Sequence, residues 1–315
     1  MSLCLVIDDM HPSLPEYLAP LGLTLHYRPD LTAAEVPAAL AAHPYEGLMV
    51  RSKLRITREL LAHGPQLRYV ARAGAGVDNV DEQALADAGI TLLNAPEGNR
   101  DAVGEYAVGL LLALLRNIVR ADAEVRVGQW RREANRGEEL GGKTVGLLGY
   151  GHMGRAFARR LSAFGCIVLA HDHDPACLPD ENATLVPLAE LQARAEVLSL
   201  HIPYSPANHH VVNEEFLAGF ANAIWLLNTA RGEVLDHAAM VSRLRTGQVR
   251  GAALDVLENE KLAGLSPEQQ ARFDYLRTAP NVVLAPHIGG WSFQSYERIN
   301  AVLARKLAAF LGVGE

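Results

Sequence analysis

The segment NVVLAPHIGGWS, residues 281–292, runs through an uncharged stretch into a proline, then a histidine and two glycines. Taken alone, His287 reads either as a structural histidine satisfying a turn or as a proton donor facing a substrate. Two other segments bear on the choice. IWLLNTARGEVLD ends an apolar run with Asn228, Thr229 and Arg231, and GAALDVLENEKL does so with Asp255 and Glu260. An arginine, a carboxylate and a histidine at strand ends suit one kind of chemistry. A planar guanidinium matches a carboxylate through two hydrogen bonds. Histidine changes charge near neutrality and can give or take a hydroxyl proton. A neighbouring carboxylate stabilises the protonated ring. Each residue also has a plain structural use: Arg231 could pin a loop, and Asp255 could cap or hold its neighbours.

Upstream, TVGLLGYGHMG (144–154) carries a buried strand into Gly149, Tyr150, Gly151, His152, Met153 and Gly154, and an amphipathic helix follows. The glycines have separate uses: a tight turn at Gly149, close approach of a pyrophosphate at Gly151, and close helix–strand packing at Gly154. The helix N-terminus would face the phosphates with free N–H groups. The next strand ends at Asp172, placed to accept hydrogen bonds from a ribose and to repel a 2′-phosphate, so NAD is expected over NADP. HDHD at 171–174 could pass for a metal site, but no further clustered ligands follow and no metal is expected.

These groups need a scaffold that aligns strand ends. Short apolar runs alternate with helix-like segments along the first hundred residues: candidate strands Leu3–Ile7, Leu23–Tyr27, Gly47–Val50, Tyr69–Arg72 and Ile90–Leu93, with helices at Thr32–Ala41, Arg58–His63 and Glu82–Ala88. A second series gives strands Thr144–Leu148, Cys166–Ala170, Val197–Leu200, Ala223–Leu227, Gly251–Leu254 and Val282–Leu284. Such alternation implies an α/β fold of two doubly wound parallel sheets, the second a Rossmann dinucleotide-binding sheet. One long helix is expected from Asp101 to about Trp130, apolar on nearly all sides from Val103 to Leu115, as an interdomain strut or dimer interface. The last segment, Ser292–Leu311, reads as one amphipathic helix returning to the first domain. The expected domains are 1–98 with 292–315, and 99–291.

The blocks GYGHMG, NTARGEV, ALDVLENE and PHIGG, in this order and spacing, resemble the NAD-dependent D-2-hydroxyacid dehydrogenases. VRSKLRIT, ARAGAGVDNVD and NAPEGNRDAVGEYAVGLLLALLR resemble the phosphoglycerate dehydrogenase branch, so nearly the whole chain is covered. The resemblance implies a flavodoxin-like substrate domain. It implies that Arg231 clamps the substrate carboxylate and polarises the carbonyl, that His287 moves the hydroxyl proton, and that Glu260 bonds to His287. It also implies that Ala73, Gly74, Ala75, Gly76 and Val77 bind the substrate carboxylate through an anion nest. Thr229, Ala230, Asp255 and Gly289 join the glycine fingerprint and Asp172 as the implied NAD-binding set. Arg51, Ser52 and Lys53 could greet a second anion such as a phosphate, with a solvated basic turn the alternative for Lys53. Trp130 and Arg132 resemble a segment that reaches a neighbouring subunit. The expected substrate is a small anionic 2-hydroxy or 2-keto acid, D-3-phosphoglycerate first, hydroxypyruvate or glyoxylate as alternatives. A corepressor-like NAD sensor is the minor alternative from another class. Departures are Lys261 where proline is usual, a lengthened loop AGLSPEQQARFDYLR (263–277), and Trp291 where a small residue is common. No regulatory domain is expected after the last helix.

The bulk numbers agree with this reading. A chain of 315 residues suggests roughly two domains. A net charge of −7 argues against nucleic acid but leaves room for local cationic pockets. The longest apolar run, Ala107–Leu115, is too short for a bilayer. Cys4, Cys166 and Cys177 are scattered, and the N-terminus shows no cleavage site, so a reduced cytoplasmic setting and a homodimer are expected.

Overall fold

The computed structural model describes residues 2–313. Residue 1 and residues 314 and 315, which the expected domain ranges include, lie outside the described residues. Two compact units emerge: Met1–Arg100 with Trp291–Glu315, and Asp101–Gly290.

In the first unit, β1 (Leu3–Val6), β2 (Thr24–Tyr27), β3 (Gly47–Val50), β4 (Tyr69–Arg72) and β5 (Thr91–Asn94) form one parallel sheet in the order β2-β1-β3-β4-β5. Every residue of the run GLMV in β3 is buried, because helices cover both faces. Successive side chains point to opposite faces. Leu5 and Ile7 thus join the core containing Val36 and Leu40, while Cys4 and Val6 join the one containing Leu14, Ile299, Leu303 and Leu307. The second face is covered by helices Leu14–Leu18 and Phe293–Leu311. The latter starts at a cap: the Ser292 side chain accepts from the Ser295 N–H.

In the second unit, β6 (Thr144–Leu148), β7 (Ile167–His171), β8 (Thr184–Leu185), β9 (Val197–Leu200), β10 (Ile224–Asn228), β11 (Val249–Leu254) and β12 (Val282–Leu284) are all parallel, in the order β12-β11-β10-β9-β6-β7-β8. The strand order reverses between β6 and β9. The carboxyl edge at such a reversal is where these sheets take ligands.

Three local expectations need correction. The helix expected over 101–130 begins earlier, at Pro96, and is two helices, Pro96–Leu115 and Ile118–Arg126, bent by 62°. Proline is welcome in the first helical turn, and Asn117 takes a left-handed φ of 54° at the break. There the N–H of Glu138 donates to the Leu115 carbonyl, closing the first helix. The lengthened loop at 263–277 contains a helix, Pro267–Leu276, opened by a capping box between Ser266 and Gln269. The helix expected from Thr32 starts at Val36, because Glu35 folds back on the Thr32 N–H and hydroxyl. The short elements Leu14–Leu18 and β8 carry too few residues for a periodic signal.

His237 is buried beside β11 and its neighbours. Burial first, then the Arg272 and His210 charges, push its ring down from 6.5 to about 4. Between those values the unfolded chain binds more protons than the folded one. Stability is therefore full above about pH 6.5 and falls as pH drops toward 4. From pH 7 to 5 the loss from this ring is about 1–2 kcal/mol. Urea melts of wild type and His237→Gln check it: equal pH slopes in the two proteins would remove His237 as the cause.

Candidate active site

The glycine turn after β6 is built as the three positions demand. Gly149 has φ 95°, and a Cβ there would stand 2.8 Å from the His201 carbonyl carbon. At Gly154 a Cβ would stand 2.5 Å from the Gly149 oxygen, so strand and helix can meet only without a side chain. Gly151 differs: a Cβ would meet nothing within 4 Å. That open space lies at the N-terminus of helix His152–Leu161, where no side chain caps the first turn. The Asp172 carboxylate closes the turn from β7, accepting from the Tyr150 N–H at 2.7 Å and the Asp174 N–H at 3.0 Å. Tyr150 itself is buried and its phenol donates to Asp180 at 2.6 Å.

Arg231 follows β10 in a loop braced by Asn228. The Asn228 amide accepts from the Ala230 N–H at 3.0 Å and donates to the Arg231 carbonyl at 3.0 Å. Gly232 lies directly against the chain at Leu257 and Glu258, where a Cβ would fall 2.0 Å from the Leu257 carbonyl. The Arg231 loop therefore supports the segment that carries Glu260. The Thr229 hydroxyl is buried without a hydrogen-bond partner, an atom left for a ligand to satisfy.

His287 sits beyond β12 with φ 56°, a conformation few non-glycine residues adopt. Asp255 holds it there. The His287 N–H donates to the Asp255 carbonyl at 2.7 Å, and the Asp255 carboxylate accepts from the Ile288 N–H at 2.9 Å and the Gly289 N–H at 2.7 Å. Tyr106 adds a hydrogen bond to the same carboxylate; burial, then that charge, push its phenol up. The ring so placed meets Glu260, with Nδ1 2.9 Å from Oε1 and 3.1 Å from Oε2. The two side chains are 43% and 49% exposed, leaving a face of the ring open to a ligand. Asn228 and Tyr106 were not among the expected site residues. Asparagine at a strand end, able to bond two residues onward, was the available signal for the first.

In the first unit, the main chain of Ala73 and Gly74 is already paired, with the Val50 and Arg72 carbonyls. Ala75, Gly76 and Val77 follow in the same turn, half-buried. Arg51 lies over the rings of Trp291 and Tyr296, 4.5 and 5.0 Å from their centroids, and donates to the Asp9 carbonyl at 3.3 Å. Ser52 is exposed. Lys53 departs from its expected use: its ammonium donates to the carbonyls of Ile7 and Pro29. It ties the ends of β1 and β2 and is not a solvated turn residue.

Residues 108–289 match the family described as D-isomer specific 2-hydroxyacid dehydrogenase, NAD binding domain. A hydroxypyruvate reductase of Thermotoga maritima is 36% identical over 268 residues, covering 84% of this chain and 85% of that protein. The chain belongs to the D-isomer specific 2-hydroxyacid dehydrogenases. It is also 35% identical over 311 residues to a D-3-phosphoglycerate dehydrogenase of Mycobacterium tuberculosis, covering 96% of this chain but 56% of that one. Among solved structures, a glyoxylate reductase from Paecilomyes thermophila superposes with a TM-score of 0.86 at 28% identity, covering 100% of this chain and 96% of that one. NAD is the cofactor of the family's domain, and the residues present fit it: the open space at Gly151, the uncapped helix start and the unsatisfied Thr229 hydroxyl. Asp172 follows the strand after the glycine turn, the position from which a carboxylate would repel a 2′-phosphate. NAD is therefore expected to be used at least about 10-fold better than NADP, about 1.4 kcal/mol. Equal kcat/KM for the two cofactors would remove this role from Asp172.

Proposed function

We propose that the protein interconverts a short D-2-hydroxy acid and its 2-keto acid, with hydroxypyruvate or glyoxylate as the leading keto substrate. The observation that carries the chemistry is the His287–Glu260 contact of 2.9 Å on a turn held by Asp255, inside an NAD-binding domain. NAD, when bound, supplies the redox partner for the substrate carbon. Arg231 would hold the substrate carboxylate through its fork of donors and draw electron density from the adjoining carbonyl. Protonated His287 would give its Nε2 proton to the carbonyl oxygen during reduction and take it back during oxidation. Glu260 keeps the other ring nitrogen, Nδ1, engaged and stabilises the charged ring.

The sequence ranked D-3-phosphoglycerate first, on its resemblance to the phosphoglycerate dehydrogenase branch and on Arg51, Ser52 and Lys53. That Lys53 donates to the carbonyls of Ile7 and Pro29 supports a structural use of its ammonium over a phosphate contact, and we therefore rank the unphosphorylated acids first. The second reading, 3-phosphoglycerate, rests on Arg51 and on the similarity to D-3-phosphoglycerate dehydrogenases. Steady-state assays over a panel decide between them. Hydroxypyruvate or glyoxylate is expected to exceed 3-phosphohydroxypyruvate in kcat/KM by at least about 10-fold. Lys53→Ala should lower stability by about 1–3 kcal/mol, through two carbonyls left without a donor, and leave the substrate ranking alone. Preference for the phosphorylated acid, lost in Arg51→Ala, would restore the second reading.

A homodimer through the 101–130 region is part of this proposal. Ile118, Val119, Val125, Val127 and Trp130 are exposed there, more apolar surface than solvent favours. Sedimentation of wild type and Val127→Asp tests it. Three free cysteines support a reducing, cytoplasmic setting.

A further inference from the structure

Glu260 is the weakly anchored member of its pair. Its carboxylate is 49% exposed and contacts only His287 among the described residues. An exposed ion pair gains little, and a free glutamate side chain loses rotamer entropy on being held. The pair by its own energetics would spend much of its time apart. Its geometry must come from the backbone on either side of Glu260, and that backbone, residues 255–261, has no regular structure of its own.

Each neighbour of Glu260 is tied down. Glu258 accepts from His210 Nε2 at 3.0 Å and lies 3.7 Å from Arg272. The Asn259 amide donates through Nδ2 to Gln269 Oε1 at 3.1 Å, and its Oδ1 accepts from the Lys261 N–H at 3.0 Å. Gln269 Oε1 also accepts from the Ser266 N–H at 3.0 Å, so the same oxygen serves the capping box. Arg272 and Gln269 both belong to helix Pro267–Leu276. Between that helix and the loop lies a cavity of ≈ 20 Å³, bordered by His237, Glu258, Asn259, Gln269 and Arg272. The polar groups around it are engaged with the loop.

We propose that helix Pro267–Leu276 is a clamp for the acid–base pair: Gln269, through Asn259, is a positioning residue that holds Glu260 at His287, with Arg272 and His210 holding Glu258 on the same loop. The inference rests on the acid–base reading given under the proposed function and deepens it. A helix inserted between β11 and β12, outside the cofactor and substrate contacts, sets the fraction of molecules in which the carboxylate and imidazole are joined.

The test is steady-state kinetics of the full chain with NADH and glyoxylate or hydroxypyruvate across pH. Gln269→Leu removes the shared acceptor. It is expected to lower kcat about 10-fold, the scale of loss from slight misplacement, with both KM values within about twofold of wild type. Its pH profile should move toward that of Glu260→Gln. Gln269→Glu retains an acceptor for both N–H groups and should restore turnover and profile. Asn259→Asp keeps the oxygen facing the Lys261 N–H but loses the donor to Gln269. It should behave as Gln269→Leu does and serves as the test if the leucine variant does not fold. Wild-type kcat and profile in Gln269→Leu or Asn259→Asp would overturn the clamp, as would equal loss in Gln269→Glu. Glu260→Gln separates the two ideas. If it leaves the profile unmoved, the acid–base reading itself fails and the clamp with it. If it moves the profile and the clamp variants do not, only the clamp fails.

Discussion

Replacement of His287 by alanine is expected to lower kcat by about two to four orders of magnitude, the range for a positioned general acid–base group. Affinity for NAD should change little. Reduction of a keto acid leaves negative charge on the carbonyl oxygen unless a proton arrives in the same step. The ring is placed for this: its backbone is fixed by three hydrogen bonds to Asp255 and its Nδ1 by Glu260. Those backbone bonds survive the substitution, so the variant should fold. A melting temperature near wild type, measured with the kinetics, separates lost chemistry from lost structure. Near-normal turnover in His287→Ala would return the residue to the structural reading, a histidine satisfying a turn. Glu260→Gln gives a finer view. Removal of the charge 2.9 Å from the ring takes away a stabiliser of its protonated form. The dependence of kcat on pH is expected to differ from that of wild type.

The second large effect is expected at Gly151. Valine there should raise the KM for NAD by at least about 100-fold, about 2.8 kcal/mol, while leaving the unliganded protein as stable as wild type. The reason is the open space: beyond its chain neighbours no atom lies within 4 Å of the added Cβ, so the larger side chain would fill the space that a pyrophosphate needs. Gly149→Ala provides the contrast. Its φ of 95° and the His201 backbone 2.8 Å away predict a loss of stability of about 1–3 kcal/mol before any ligand is added. Isothermal titration with NAD and thermal melts of both variants check the pair. Intact NAD affinity in a well-folded Gly151→Val would mean that the cofactor does not approach this turn.

Much of the framework was legible because its signals are local. Alternating apolar runs and helical patterns place the five strands of the first sheet within a residue or two, since β3 and its neighbours are buried on both faces and read as continuous apolar stretches. The helix at 267–276 was missed although Ser266 and Gln269 carry a capping-box spacing; its polar composition hid a weakly amphipathic element. The break at Asn117 was missed because it depends on the chain at Glu138 meeting the Leu115 carbonyl, a contact between residues far apart in sequence.

By itself the amino-acid sequence determined that Arg231, Glu260 and His287 follow successive apolar runs, and that a glycine fingerprint opens a helix. Strand direction and turn chemistry follow from short stretches of chain, and in a parallel sheet they send strand-end residues to one edge. Only the tertiary structure decided where individual polar atoms go. Lys53 could have faced a phosphate, but it meets the carbonyls of Ile7 and Pro29. Asp255 could have been a mere cap, but it holds the turn of His287. Tyr150, inside the fingerprint, turns its ring into the core toward Asp180. Such outcomes depend on which donors and acceptors packing brings within about 3 Å of one another, and no local pattern encodes that distance.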